Sequence, residues 1–212
     1  MEKAASKGAR KENLKKALID AGERIVSMQG LGAVKARDIA READYSLGAI
    51  YTVFPDLDEL VYAVNIRTLE RLRERLSLCA LPDGKKEEAN TLWLLALSVQ
   101  YLHFAAENRL LWQALFEHRA TGAKAGAEEQ GRRQSALFAF IEKPLASLLP
   151  EQDDTARARL ARTLFSAVHG IIALGLEEKL AALSLEELED QIRIVVRAAI
   201  RGLLMGEDSR AG

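Results

Sequence analysis

Catalytic chemistry requires a nucleophile beside a base, a glycine loop that cradles phosphate, or a cluster of metal-ligating side chains. The 212 residues contain no G-x-x-x-x-G-K, H-E-x-x-H or G-x-S-x-G arrangement, and one cysteine, Cys79. His103 and His118 have no second His or Cys at ligand spacing, so neither a metal nor a cofactor is expected. These absences argue against an enzyme. The residue types do permit contact with a polyanion. Lys35, Arg37 and Arg41 can pair with phosphates, and Tyr45, Ser46 and Thr52 carry hydroxyls able to reach base edges.

Short helices must position these side chains. Ile39, Ala40 and Ala43 form one apolar face at helical spacing, Asp44-Tyr45-Ser46 breaks the pattern, and Ile50, Tyr51 and Phe54 begin a second face. Two short helices fixed at an angle by shared apolar residues can set the second into a DNA major groove. The spacing predicts a first helix from Glu12 or Asn13 to just before Gly30, a second over Ala36–Ala43 and a third over Leu47–Val53. Ile50 and Phe54 read as core. Asp56 can cap a fourth helix, Leu57–Leu78, in which an apolar stripe alternates with Arg67, Arg71, Arg73 and Arg75.

Beyond the break at Leu81-Pro82-Asp83-Gly84, helices are expected near 86–107, 109–120, 127–148, 154–181 and 185–205. Thr121–Gly131 and Pro150–Asp153 read as loops, and Ser184 as the cap of the last helix. The last two helices carry more apolar surface than one core needs, and Ala167, Gly170, Ala173 and Gly175 would let helices approach closely. A subunit interface and ordinary internal packing both fit that pattern.

Composition agrees with an all-α fold. Hydrophobic residues make up 49% and charged residues 29%, and only four prolines interrupt a chain rich in Ala, Leu, Glu and Arg. The net charge of −1 hides an asymmetry: residues 1–41 carry ten Lys/Arg against five acids, and the remainder 20 against 26. A basic end on a near-neutral chain points to a localised polyanion contact; a solvated tail is the alternative for the first ten residues. A lone cysteine fits a reducing compartment. The N-terminus has no secretory h-region, and no apolar run of about 20 residues is present to span a bilayer. A cytoplasmic protein with no membrane partner is expected.

The segment Lys35–Leu60 resembles the TetR family of one-component transcriptional regulators. Arg37-Asp38-Ile39-Ala40-Arg41-Glu42-Ala43 echoes that family's helix 2, Ser46, Gly48, Tyr51 and Phe54 its recognition region, and Asp58-Glu59-Leu60 the start of its helix 4. The chain departs from the pattern where Lys35 replaces the usual Thr or Ser, Asp44 the turn glycine, and Leu47 and Leu57 two lysines. Asp44 tolerates left-handed geometry. Losing both lysines removes backbone contacts, and base readout then leans on Tyr45, Ser46, Thr52 and apolar contacts to thymine methyls. Farther on, Tyr101–Arg109 with Leu111-Trp112 and Leu115-Phe116, and Val168-His169-Gly170 with Leu174-Gly175-Leu176-Glu177, are similar to the WHG type of ligand-binding domain. Phe165 stands where that type has its Trp.

The resemblance implies an all-α protein of about nine helices: a three-helix helix-turn-helix domain, residues 1–56, and a helical ligand-binding and dimerisation domain, residues 57–212. It implies a homodimer formed through the last two helices, a pseudo-palindromic double-stranded DNA operator, and repression relieved by a small, mostly apolar effector. DNA contacts would come from Lys35, Arg37, Tyr45, Ser46, Leu47, Gly48, Ala49, Tyr51 and Thr52. The effector would meet Tyr62, Trp93, Leu97, Tyr101, Phe104, Trp112, Phe116, Phe138 and His169. For each of these side chains core filling is the competing role, and for the whole chain it is a helical interaction protein that no longer reads DNA.

Overall fold

A computed structural model describes residues 2–80, 86–119, 124–177 and 183–208. Among these the regular elements are all helices: α1 (Glu2–Gln29), a 3₁₀ turn (Leu31–Ala33), α2 (Ala36–Glu42), α3 (Leu47–Tyr51), α4 (Leu57–Ser77), α5 (Lys86–Glu107), α6 (Arg109–Glu117), α7 (Ala125–Leu137), α8 (Ala139–Leu148), α9 (Asp154–Leu176) and α10 (Leu185–Asp208). The all-α expectation holds, with three differences. α1 starts at Glu2 because Ala, Lys, Arg and Glu through its first turns are good helix formers. Residues 127–148 form two helices that meet at Phe138, whose amide bonds back three residues to Ser135. The supposed loop over Thr121–Gly131 is helical from Ala125 onward. The expected break at Leu81–Gly84 lies outside the described residues.

The chain divides into two compact units. The first comprises Met1–Arg71 and Asn108–Arg133. Its core joins Leu18, Ala21, Ile25 and Val26 of α1 to Ile39 and Ala40 of α2, Ile50 of α3, Phe54 just after it, Leu60 and Val64 of α4, and Leu111 and Ala114 of α6. Gly22 allows α1 to close on α4, since a Cβ there would lie 2.8 Å from Leu60 Cδ2. Polar clamps hold the same pair: Arg67 bonds Asp20 and, at 3.0 Å, Glu23, which also receives Arg71. Asp56 caps α4, accepting from the Glu59 amide at 3.0 Å.

The second unit comprises Leu72–Glu107 and Gln134–Gly212. Within it α5 packs on α8 and α10, and α9 on α8 and α10. Leu102, Leu145, Ile172, Leu188 and Ile192 are fully buried. A Cβ on Gly175 would meet Leu188 Cδ2 at 2.3 Å, so this glycine sets the α9–α10 approach. Asp153 caps α9 by accepting from Ala156 N–H at 2.7 Å. Ser184 and Glu187 form a reciprocal capping box at the start of α10.

The sequence offered no apolar run of about 20 residues, yet α9 meets the length and apolarity criteria for crossing a membrane, although Arg157, Arg159 and Arg162 lie in its first half. Only 28% of its most apolar window is buried within the fold.

Candidate nucleic-acid interface and effector-site residues

α2 and α3 are short because the turn between them is tight. The Asp44 amide bonds Arg41 C=O, the Tyr45 amide bonds Ala40 C=O, and Asp44 itself has φ 58°. Few non-glycine residues adopt that geometry; Asp is among those that do so at modest cost. α3 ends at Tyr51, and the amides of Thr52 and Val53 bond three residues back, so the third helix closes as a tightened turn.

The turn and α3 separate into two faces. Ile50 and Phe54 point inward and are 0% and 5% exposed, as their helical spacing predicts. Tyr45, Leu47 and Tyr51 lie outward at 44%, 40% and 54% exposure, with Ser46, Gly48 and Thr52 exposed beside them and Ala49 half-buried. The Thr52 hydroxyl donates to Ala49 C=O at 2.7 Å, so toward a base it can act only as an acceptor. Lys35 stands at the N-cap of α2 without a side-chain cap bond, and both it and Arg37 are exposed. Arg41 is paired with Asp38 at 2.8 Å and Arg24 with Glu42 at 2.7 Å, which ties down part of the basic charge of this region.

The expected effector residues fall into two groups. In the second unit, Tyr101 Oη lies 2.9 Å from His169 Nδ1, and Phe165 packs against both, with ring centroids 5.6 Å from Tyr101 and 5.4 Å from His169. Phe138 meets Phe165 edge-on at 5.4 Å. Burial holds His169 below the usual imidazole range, so at neutral pH it bonds Tyr101 as an uncharged ring. Trp93, Leu97 and Phe104 are buried on α5; Lys143 sits 5.4 Å above the Trp93 ring, and the Trp93 indole N–H has no hydrogen-bond partner.

In the first unit, Tyr62 is buried edge-on against His118 at 4.6 Å, and Trp112 packs against the half-exposed Phe116 at 5.6 Å. This group contains polar residues that sequence reasoning did not single out. Asn65 and Gln130 are buried and bonded to each other at 2.9 Å. Asn65 had a signal: a polar side chain four residues after buried Val61 and three after buried Tyr62 on α4. Gln130 had none, because Gly126 and Gly131 disguised its helix as a loop. Gly126 is instead a packing position, where a Cβ would lie 2.5 Å from Tyr62 Cβ. Its amide donates to both Glu59 carboxylate oxygens, at 3.0 and 3.2 Å, and Lys124 pairs with Asp56.

Residues 18–64 match the family described as bacterial regulatory proteins, tetR family, and residues 94–199 the family described as tetracyclin repressor-like, C-terminal domain. The HTH-type transcriptional repressor KstR of Rhodococcus jostii is 28% identical over 159 residues, covering 73% of this chain and 70% of that protein. A transcriptional regulator from Rhodococcus sp. RHA1 superimposes with a TM-score of 0.72 at 20% identity, over 89% of this chain and 96% of its own. A tetR-family regulator from Streptomyces coelicolor gives 0.70 at 21% identity, over 94% and 85%. At these identities the two structures establish the fold alone.

Proposed function

The chain belongs to the TetR family of bacterial regulatory proteins, and on that premise we propose that it is a homodimeric, ligand-released repressor of a pseudo-palindromic operator. As a member of that family it acts by binding rather than by catalysis. Residues 1–56 form the DNA-binding module in this reading, and residues 57–212 the ligand-binding and dimerisation module. α3 enters the major groove with Tyr45, Ser46, Leu47, Gly48, Ala49, Tyr51 and Thr52, while Lys35 and Arg37 pair with phosphates. The repressor sense follows the relative whose name carries it.

The observation that carries the reading is the outward face of α3. Tyr45, Leu47 and Tyr51 expose apolar surface beside small polar residues, on an element whose inner side is fixed by fully buried Ile50. Clustered apolar exposure marks a surface that a partner covers. Thymine methyls and sugar edges supply such a cover, and the two tyrosine hydroxyls can still reach phosphate or base.

Dimerisation through the last two helices is supported by surface left uncovered in one protomer. α9 is apolar and mostly unburied, and on α10 Ile194, Ala198, Gly202 and Met205 follow one another at helical spacing along an exposed stripe. Two such protomers would present their α3 helices about 34 Å, or one helical turn, apart. An apolar effector that prefers the non-binding arrangement would lower operator affinity by its differential affinity for the two states.

Selection of bound duplexes from a random library tests the reading. An enriched inverted repeat whose affinity falls steeply with salt is expected. Lys35→Glu with Arg37→Glu should reduce retention at least ten-fold while leaving the circular-dichroism spectrum unchanged. No enrichment at low salt, or unchanged retention in the double variant, would favour a helical interaction protein that does not read DNA.

A further inference from the structure

Among the described residues of the first unit, two buried polar atoms lack a hydrogen-bond partner: Asn65 Oδ1 and His118 Nε2. Both belong to one junction. Asp58, Tyr62 and Asn65 share a face of α4 at helical spacing, Gly126 and Gln130 share a face of α7, and Ala114, Leu115 and His118 bring in the end of α6.

The orientation of Asn65 follows from its neighbours. Gln130 Nε2 donates to Leu115 C=O at 3.1 Å, so Gln130 Oε1 faces Asn65 as an acceptor. Asn65 Nδ2 donates to that oxygen at 2.9 Å and to Ala114 C=O at 3.3 Å. Backbone carbonyls cannot donate, so turning either amide over would set oxygen against oxygen. Asn65 Oδ1 is therefore a fixed acceptor, on a residue with 0% exposure, that finds no donor among the described residues. Four residues after Ala114, His118 Nε2 lies 3.6 Å from Asp58 Oδ1, beyond hydrogen-bond reach. Burial pushes the His118 imidazole below its usual range despite Asp58, so it adds no positive charge at neutral pH.

We propose that this junction of α4, α6 and α7 is the polar end of the effector site, and that the effector is an uncharged, mostly apolar molecule whose hydroxyl donates to Asn65 Oδ1. The proposal rests on the regulator reading above and gives it a ligand class. A carboxylate is disfavoured, because its oxygens would meet Asn65 Oδ1, an acceptor with no proton to give, and the Asp58 carboxylate, whose neighbouring cation Lys124 already pairs with Asp56. A hydrocarbon of the same shape leaves the acceptor unsatisfied. Recognition therefore selects a donor, and the discrimination is measurable as a ratio of affinities.

Three probes matched in ring system separate the alternatives: 2-naphthol, 2-methylnaphthalene and 2-naphthoate, titrated calorimetrically into the full chain. Naphthol should bind about ten-fold tighter than methylnaphthalene, equivalent to about 1.4 kcal/mol, with naphthoate weakest. In Asn65→Leu the preference for naphthol should fall to within two-fold. Should that variant not fold, wild-type protein carrying isotope-labelled asparagine provides the same test: the Asn65 side-chain amide resonances should shift with naphthol and not with methylnaphthalene. Equal affinities, tightest binding by naphthoate, a preference that survives Asn65→Leu, or no binding of any probe would each overturn the proposal; a buried water serving Asn65 Oδ1 gives the first result. Operator retention measured on the same protein keeps the failures distinct. Loss of retention refutes the regulator reading, whereas intact retention without hydroxyl preference refutes this assignment alone.

Discussion

Gly126→Ala isolates the contact that docks α7 on α4. The new Cβ would sit 2.5 Å from Tyr62 Cβ, 2.8 Å from Glu59 Oε2 and 3.0 Å from Tyr62 Cδ2. Tyr62 Cβ is fixed to the α4 backbone, so relief requires moving a helix and not merely a rotamer. Overpacking of this kind costs about 1–3 kcal/mol. Displacing Glu59 also strips the Gly126 amide of a charge-assisted bond worth about 1.5 kcal/mol or more. Against this, Ala gains at most about 1 kcal/mol over Gly in a helix. The net expectation is about 2–3 kcal/mol of destabilisation, or about 4–12 °C in Tm for a chain of this size. Gly131→Ala is the matched control: it lies on the same helix with nothing within 4 Å of its Cβ, and should stabilise slightly. In a Trp93→Phe background the remaining tryptophan, Trp112, belongs to the first unit, so its fluorescence during urea unfolding reports on that unit. Equal stability of the two alanine variants would refute the packing argument.

Other perturbations have directions set by the same geometry. Asp153→Ala removes the acceptor for the Ala156 amide at the start of α9 and should cost about 1 kcal/mol in urea unfolding, whereas Asp154→Ala, which leaves that cap intact, should cost less. Burial lowers the folded pKa of both His118 and His169, so the unfolded chain takes up protons first as pH drops below about 6.5. Stability should therefore fall from pH 7 toward pH 5, less steeply in the doubly substituted His118→Phe, His169→Phe chain; equal slopes would exclude these rings as the cause. Ile194→Glu places a charge on the exposed stripe of α10 and should convert dimer to monomer in sedimentation velocity with little change in helicity. An unaltered sedimentation coefficient would place the subunit contact elsewhere.

The helix-turn-helix was legible because its signals are local. Ile39, Ala40, Ile50 and Phe54 repeat at helical spacing, and each is buried in the structure. Asp44 was readable as a left-handed turn residue and has φ 58°. Asp56 and Ser184 announced helix starts, and both accept the expected amide bonds. Glycine misled the reading: in sequence it marks a loop and a close helix contact alike, and at Gly126 the contact prevails.

Periodicity, caps and the absence of catalytic motifs thus determined, from sequence alone, an all-helical chain with a recognition turn near its N-terminus. These are properties of residues within about four positions of one another, where backbone sterics and hydrogen bonding act directly. The tertiary structure decided which side chains meet across long separations. Only folding sets Asn65 beside Gln130 and Ala114, or Tyr101 beside His169. It alone leaves Asn65 Oδ1 and the Trp93 indole N–H without partners among the described residues. Whether a buried polar atom is satisfied depends on the sum of distant neighbours around it, and a linear sequence does not contain that sum.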